Sequence, residues 1–290
     1  MTTTTSLKTW GEIADYTWDK CWRRQRSAKD SLNKIKVITS FWGPSLPLKQ
    51  LGKGHTWLEL QNDLSREGEK SNATINRYLS CALHAVKFTY ELGLHECKCP
   101  KVERLDESET STRQAWFTKD QVEKLAHFAV DIYDNQLLAD AIIFSAYTGV
   151  RQGELLKAKV RDIDHESNVI WIGGRPDTRT KSGKERSVPL NKKLIPIIER
   201  QTKNREPNDL LFGDDFLSSD QLYKQFKKVR RLAGIDDDYV WHSLRHSFAT
   251  WCGAVEHPRA VMAAMGHSSM ETTLKYCKKY DKAVHAMVSK

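Results

Sequence analysis

Apolar residues recur at helical spacing through most of residues 8–93, and polar residues fill the positions between them. The stretch 9–22, TWGEIADYTWDKCW, predicts a first helix. Thr9 is placed to cap it, and Glu12, three residues on, completes a capping box. A second helix is expected near 28–41, ending before Gly43-Pro44, and a third over 56–66. A fourth begins at Ser71 and runs through SNATINRYLSCALHAVKFTYELG to Gly93, a residue suited to a helix C-terminus. These four make a small bundle with many Lys and Arg on its surface.

The period then lapses. Residues 98–114, KCPKVERLDESETSTRQ, are polar with no apolar repeat and read as a linker. Beyond it the pattern resumes with helices expected at 118–131 and 134–147 and a short one after Gly149. Three β-type segments follow, at 161–164, 168–174 and 186–190, with the turn-rich basic loop RPDTRTKSGKE (175–185) between the last two. Helices return at 191–203, 218–233, 242–254 and 257–265. The expectation is a mainly α chain with a small antiparallel β-sheet. Its division is a helical domain over 1–99, a linker over 100–114, and a second domain over 115–290.

Composition narrows the class. With 290 residues, 39% of them hydrophobic and nine of them tryptophan, the chain can bury two cores. No apolar run approaches a membrane span, and MTTTTSLKTWGE lacks the regions of a signal peptide, so a cytoplasmic location is expected. Six scattered cysteines suggest no disulfide framework. His95-Glu-Cys-Lys-Cys99 has no second ligand pair at zinc spacing, so buried thiols are expected there rather than a metal. The net charge is +9, and six of those nine charges fall within residues 1–105, where 17 basic residues face 11 acidic ones. A concentrated basic excess is what a polyanion partner requires.

Four constellations carry candidate chemistry. In TGVRQGELLKAKVRDID, Arg151 follows a glycine at a helix start and Glu154 lies one turn on; by itself this is an ordinary exposed ion pair. In WHSLRHSFATW, His242 and Arg245 share a helical face and can both donate to one anion, while His246 reads as a bystander. Lys181 sits at the tip of the predicted hairpin in TKSGKERSVPL, which lacks the glycine spacing and the Ser or Thr of a P-loop. Last, MGHSSMETTLKYCKKY sets His267 nine residues before Tyr276, with Tyr280 four further on. A phenol with a pKa of about 10 needs cationic neighbours or a base before it can attack a phosphodiester. Helical geometry alone does not choose between two tyrosines on one face.

Arg with Glu three on, hairpin Lys, His-x-x-Arg, Gly-His and then Tyr, in that order, closely resembles the tyrosine recombinase (phage integrase) family. TGVRQGEL, TKSGKERSVPL, HSLRHSFAT and MGHSSMETTLKY carry the resemblance across about residues 115–290, with Met265 before Gly266 where Leu is more usual. The helical part before it resembles that family's core-binding domain. The resemblance implies a two-domain C-shaped clamp closing on double-stranded DNA attachment sites, with affinity drawn from phosphates and steeply dependent on salt. It implies that Arg151 and Arg245 grip the scissile phosphate and that His242 and His267 complete the cage, His242 also being a candidate to take the tyrosine proton. Tyr276 would form a 3′-phosphotyrosine, Lys181 would protonate the leaving 5′-oxygen, and Glu154 would orient the neighbouring side chains.

The same resemblance implies no cofactor, neither divalent metal nor ATP, since cationic side chains replace metals and the covalent intermediate conserves the phosphodiester energy. It implies a homotetramer acting on two sites through a Holliday junction, with residues 281–290 a candidate segment for exchange between neighbours, DNA-bending or directionality factors as further partners, and no membrane. A phage or mobile-element integrase is the expected role. A Xer-type chromosome or plasmid dimer resolvase shares every motif, and a type IB topoisomerase or a non-catalytic DNA-binding regulator fits less well. Helical pattern starting within about ten residues of Met1 leaves no room in this sequence for an arm-type DNA-binding domain, which raises the Xer-like reading.

Overall fold

The computed structural model describes residues 6–66, 68, 70–107, 115–178, 185–212 and 218–277. Lys181, Tyr280 and the segment 281–290 lie outside the described residues. The chain divides into two compact units, Met1–Thr112 and Arg113–Lys290.

The first unit is a bundle of α1 (Trp10–Lys20), α2 (Ala28–Trp42), α3 (Leu48–Leu51), α4 (Gly54–Arg66) and α5 (Asn72–Glu91). The capping box at Thr9 and Glu12 is formed. Gly93 adopts φ 70° just past α5, a left-handed conformation that spares glycine a Cβ clash. The one-turn helix α3, led in by Pro47, was too short for a periodic signal. Trp10, Ile13, Ile38, Leu51, Trp57, Leu60 and Leu79 close the core. Trp42 stands edge-on to both Trp10 and Trp57, with ring centroids 5.0 and 5.1 Å away.

Residues 100–107 carry no regular structure but are fastened to this unit. Asn76 donates to the Leu105 carbonyl at 2.9 Å and accepts from the Leu105 amide at 3.0 Å, while Val102 and Leu105 pack against the core. His95, Cys97 and Cys99 are used locally. The His95 Nε2 lies 2.9 Å from the Thr89 hydroxyl, the Cys97 thiol donates to the Leu48 carbonyl, and burial pushes the Cys99 thiol up to about 12.

The second unit is built round α7 (Gln136–Thr148), whose residues from Leu138 to Thr148 are almost all buried. A helix apolar on all sides needs cover on all sides. The cover comes from α6 (Lys119–Asp131), α10 (Ser219–Leu232) and α11 (Trp241–Gly253). The other elements are α8 (Gln152–Leu155), β1 (Ile163–Asp164), β2 (Val169–Ile172), β3 (Arg186–Pro189), α9 (Ile195–Thr202), α12 (Pro258–Met265) and α13 (Met270–Cys277). The three strands form one antiparallel sheet in the order β1-β2-β3, with Ile170 opposite Val188 and Ile172 opposite Arg186. The first strand is shorter than the spacing suggested, because residues 160–162 form a 3-10 turn. No helix among the described residues is long and apolar enough to cross a membrane.

Candidate active site

The site is assembled from two helix ends and the buried arginine that ties them together. Helix α7 ends at Gly149, φ 64°, and α12 ends at Gly266, φ 60°. Both endings leave carbonyls pointing out of the helix, where the helix dipole is negative. Arg245, on α11 and 3% exposed, donates to the carbonyls of Gly149 and Met265. Its position is therefore set by backbone. Gly149 is required twice over: its φ disfavours any side chain, and a Cβ there would stand 2.5 Å from the Phe248 ring. Gly149→Ala is expected to cost about 2–4 kcal/mol from left-handed strain and overpacking, read as a lowered urea midpoint at constant m-value.

The turn after Gly149 places Arg151 at the start of α8. The Arg151 amide and guanidinium both donate to the Glu154 carboxylate, at 2.8 and 2.9 Å. A second arginine, which the motif reading did not include, holds the same carboxylate: Arg186 donates to its two oxygens at 2.6 and 3.3 Å and to the Ala264 carbonyl at 2.8 Å. Arg186 lies on the buried face of β3 with Val188. The alternation Arg-Ser-Val-Pro carried that signal, since an arginine on the inward face of a strand needs a buried partner. Burial alone would raise the Glu154 carboxyl, but the Arg186 hydrogen bonds and charge, with those of Arg151, hold it at about 2.

Three guanidinium groups thus stand in one another's fields; Arg151 and Arg186 hold the Glu154 carboxylate directly, and Arg245 feels its charge. Burial first, then repulsion from Arg151 and Arg186, brings Arg245 down to about 9, so it remains charged at neutral pH. Positive charge in excess of its partners in a dehydrated site favours an anion.

The histidines and the tyrosine stack beside this charge. His242 and His246, one turn apart on α11, meet edge to face with centroids 4.7 Å apart. Tyr276, half-buried on α13, lies between His246 and His267, with ring centroids 5.5 and 6.0 Å away and interplanar angles of 29° and 21°. His267 is braced through Nδ1, 2.9 Å from the hydroxyl of fully buried Thr273. Burial and then the neighbouring positive groups depress all three imidazoles, His246 and His267 to about 4, and burial raises the Tyr276 phenol. In the free protein the three histidines are therefore neutral and the phenol keeps its proton.

Of the residues singled out from sequence, Arg151, Glu154, His242, Arg245, His267 and Tyr276 come together here. His246, read from the sequence as a bystander, has its Nδ1 2.6 Å from the Tyr276 hydroxyl. The phenol's hydrogen bond is with His246 and not with His242, the histidine expected to take its proton.

Fold and site together define a class: a mainly helical protein presenting a tyrosine beside a cationic, anion-seeking pocket. The chain belongs to the phage integrase family, whose family model matches residues 115–283 and with them every element of this site; these are the tyrosine recombinases. Tyrosine recombinase XerA of Pyrococcus horikoshii is 30% identical over 183 residues, covering 60% of this chain and 60% of that relative, less than two thirds of its length. The Tn1549 transposon integrase, solved in complex with transposon right end DNA, is similar at TM-score 0.78 and 20% identity over 97% of this chain and 100% of the other. A lambda integrase dimer bound to a COC′ core site is similar at TM-score 0.70 and 18% identity over 95% and 78%. At such identities the two structures bear on the fold alone.

Proposed function

We propose that this protein is a site-specific DNA recombinase that cleaves and rejoins strands through a 3′-phosphotyrosine at Tyr276. The observation that carries the reading is that Arg151, Arg245, His242 and His267 stand in one another's electrostatic fields, with Tyr276 stacked on His267 and within the field of Arg245. In this reading the arginines and histidines hold the non-bridging oxygens of the scissile phosphate. They stabilise the charge of the pentacoordinate transition state as preorganised donors. An arriving phosphate brings negative charge next to the depressed imidazoles and favours their protonated forms. Glu154 orients Arg151, and Lys181 protonates the departing 5′-oxygen. Phosphate contacts hold the duplex, and four copies act on two attachment sites, with DNA-bending or directionality factors where the sites need them.

An integrase of a phage or mobile element is the preferred role, and the chain shares the fold of the transposon and lambda integrases. A Xer-type resolvase of chromosome or plasmid dimers is the second reading, favoured by the XerA relative in sequence.

One experiment tests the shared chemistry. A pool of nicked duplexes with a randomised core is incubated with the protein in EDTA without ATP, and covalent adducts are recovered under denaturing conditions. Adducts at a defined sequence, and a Holliday junction when two copies of that sequence are supplied, are expected. Relaxation of supercoiled plasmid without a junction would favour a topoisomerase, and no adduct at all would end the reading.

A further inference from the structure

We propose that His246 is the base that accepts the Tyr276 proton during strand cleavage. The inference rests on the recombinase reading above and gives His246 the role for which the resemblance made His242 the candidate.

Geometry carries it. The Tyr276 hydroxyl lies 2.6 Å from His246 Nδ1, and its ring is stacked on the imidazole at 29°. His246 is the hydrogen-bond partner the phenol has among the described residues, while His242 meets His246 ring to ring and the Nδ1 of His267 is engaged with Thr273. The phenol sits where its proton is harder to lose than in water, so attack requires an acceptor already in place. The proposed transfer uses the His246 tautomer that carries its proton on Nε2, in which Nδ1 accepts from the phenol.

His246 is also held firmly. It follows Arg245, whose guanidinium is fastened to two helix ends, and it lies on α11 within a helical stretch that includes fully buried Ser243 and Ser247. The groups bearing on its charge are His242, Arg245 and His267. All three are also neighbours of the proposed phosphate position. Bound phosphate would offset their repulsion and strengthen His246 as a base when substrate is present.

The step balances without any further reagent. The phenolic oxygen forms a bond to phosphorus as its O–H bond breaks and the proton passes to Nδ1, giving an imidazolium. The bond from phosphorus to the 5′-oxygen breaks, and that oxygen takes a proton from the general acid, Lys181 in the reading above. On rejoining, the imidazolium returns its proton to the departing phenolate.

The test uses the full chain and a nicked duplex selected with the wild-type protein, in single-turnover covalent trapping. His246→Ala is expected to slow adduct formation by about 10²-fold or more. His246→Asn, which keeps an acceptor near the Nδ1 position but cannot take a proton, is expected to be comparably slow. Replacing the 5′-bridging oxygen by sulfur supplies a leaving group that needs no proton, and it should rescue neither variant. A fluorinated tyrosine of lower phenol pKa at position 276 should restore most of the rate. Wild-type speed in His246→Asn would show that the histidine only positions the phenol. Unchanged or faster cleavage in His246→Ala would show that the contact is idle or inhibitory. Either outcome overturns the inference and leaves the recombinase reading standing, whereas absence of adduct with wild-type protein removes both.

Discussion

Tyr276→Phe is expected to abolish covalent protein–DNA adduct on a nicked duplex, by more than about 10⁴-fold, while leaving DNA binding intact. Losing the single oxygen that forms the phosphotyrosine removes the reaction path itself, not one stabilising contact among several. Binding should persist because it comes from phosphate contacts that the phenyl ring does not affect. The fold should persist too. The Tyr276 ring is only half-buried and its stacking on His246 and His267 is retained by phenylalanine. Tyr280→Phe is expected to form adduct at the wild-type rate. Loss of adduct in Tyr280→Phe with retention in Tyr276→Phe would transfer the nucleophile's role and overturn the assignment. Denaturing gel shift of labelled duplex reads both variants in one experiment.

Glu154→Ala is expected to produce the largest loss of stability, about 3–5 kcal/mol. It leaves Arg186, 8% exposed, with its charge uncompensated in the interior. The same change releases the Arg151 side chain and amide, so adduct formation should fall as well. Urea denaturation at neutral pH measures the first effect and covalent trapping below the transition measures the second. The carboxylate also predicts a pH dependence. Its folded pKa of about 2 lies below the ordinary 4.5, so the folded state favours the ionised form. The stabilisation is fully present above about pH 4.5 and is lost as pH falls from there toward 2. A shift of that size corresponds to roughly 3 kcal/mol. Wild-type stability should therefore fall over that acid range, and Glu154→Gln should lose that part of the dependence. A Glu154→Gln protein with an unchanged urea midpoint and acid profile would show that the ion triad contributes nothing.

Much of the architecture was legible locally. Thr9 with Glu12 marked the first helix, the lapse of period after Lys98 marked a change in the chain, and the alternation in residues 168–174 marked a strand. Where reading failed, the elements were short or their partners remote. Helix α3 spans a single turn, too little for a period, and residues 100–107 gain their order from Asn76 and Gln61, tens of residues away.

The candidate site divides on the same line. The amino-acid sequence by itself determined the order and type of Arg151, Glu154, His242, Arg245, His267 and Tyr276, and the pairs Arg151–Glu154 and His242–Arg245 were legible because residues three apart are neighbours on a helical turn. It also determined that positions 149 and 266 are glycine, where a left-handed φ ends each helix. Only the tertiary structure decided that Arg186 shares Glu154 from 32 residues away and that Tyr276 meets His246 from 30 residues away. Helical spacing relates residues three or four apart. Which side chain of α11 faces the phenol depends on how α13 packs against it, and that packing is settled by burial across the whole core.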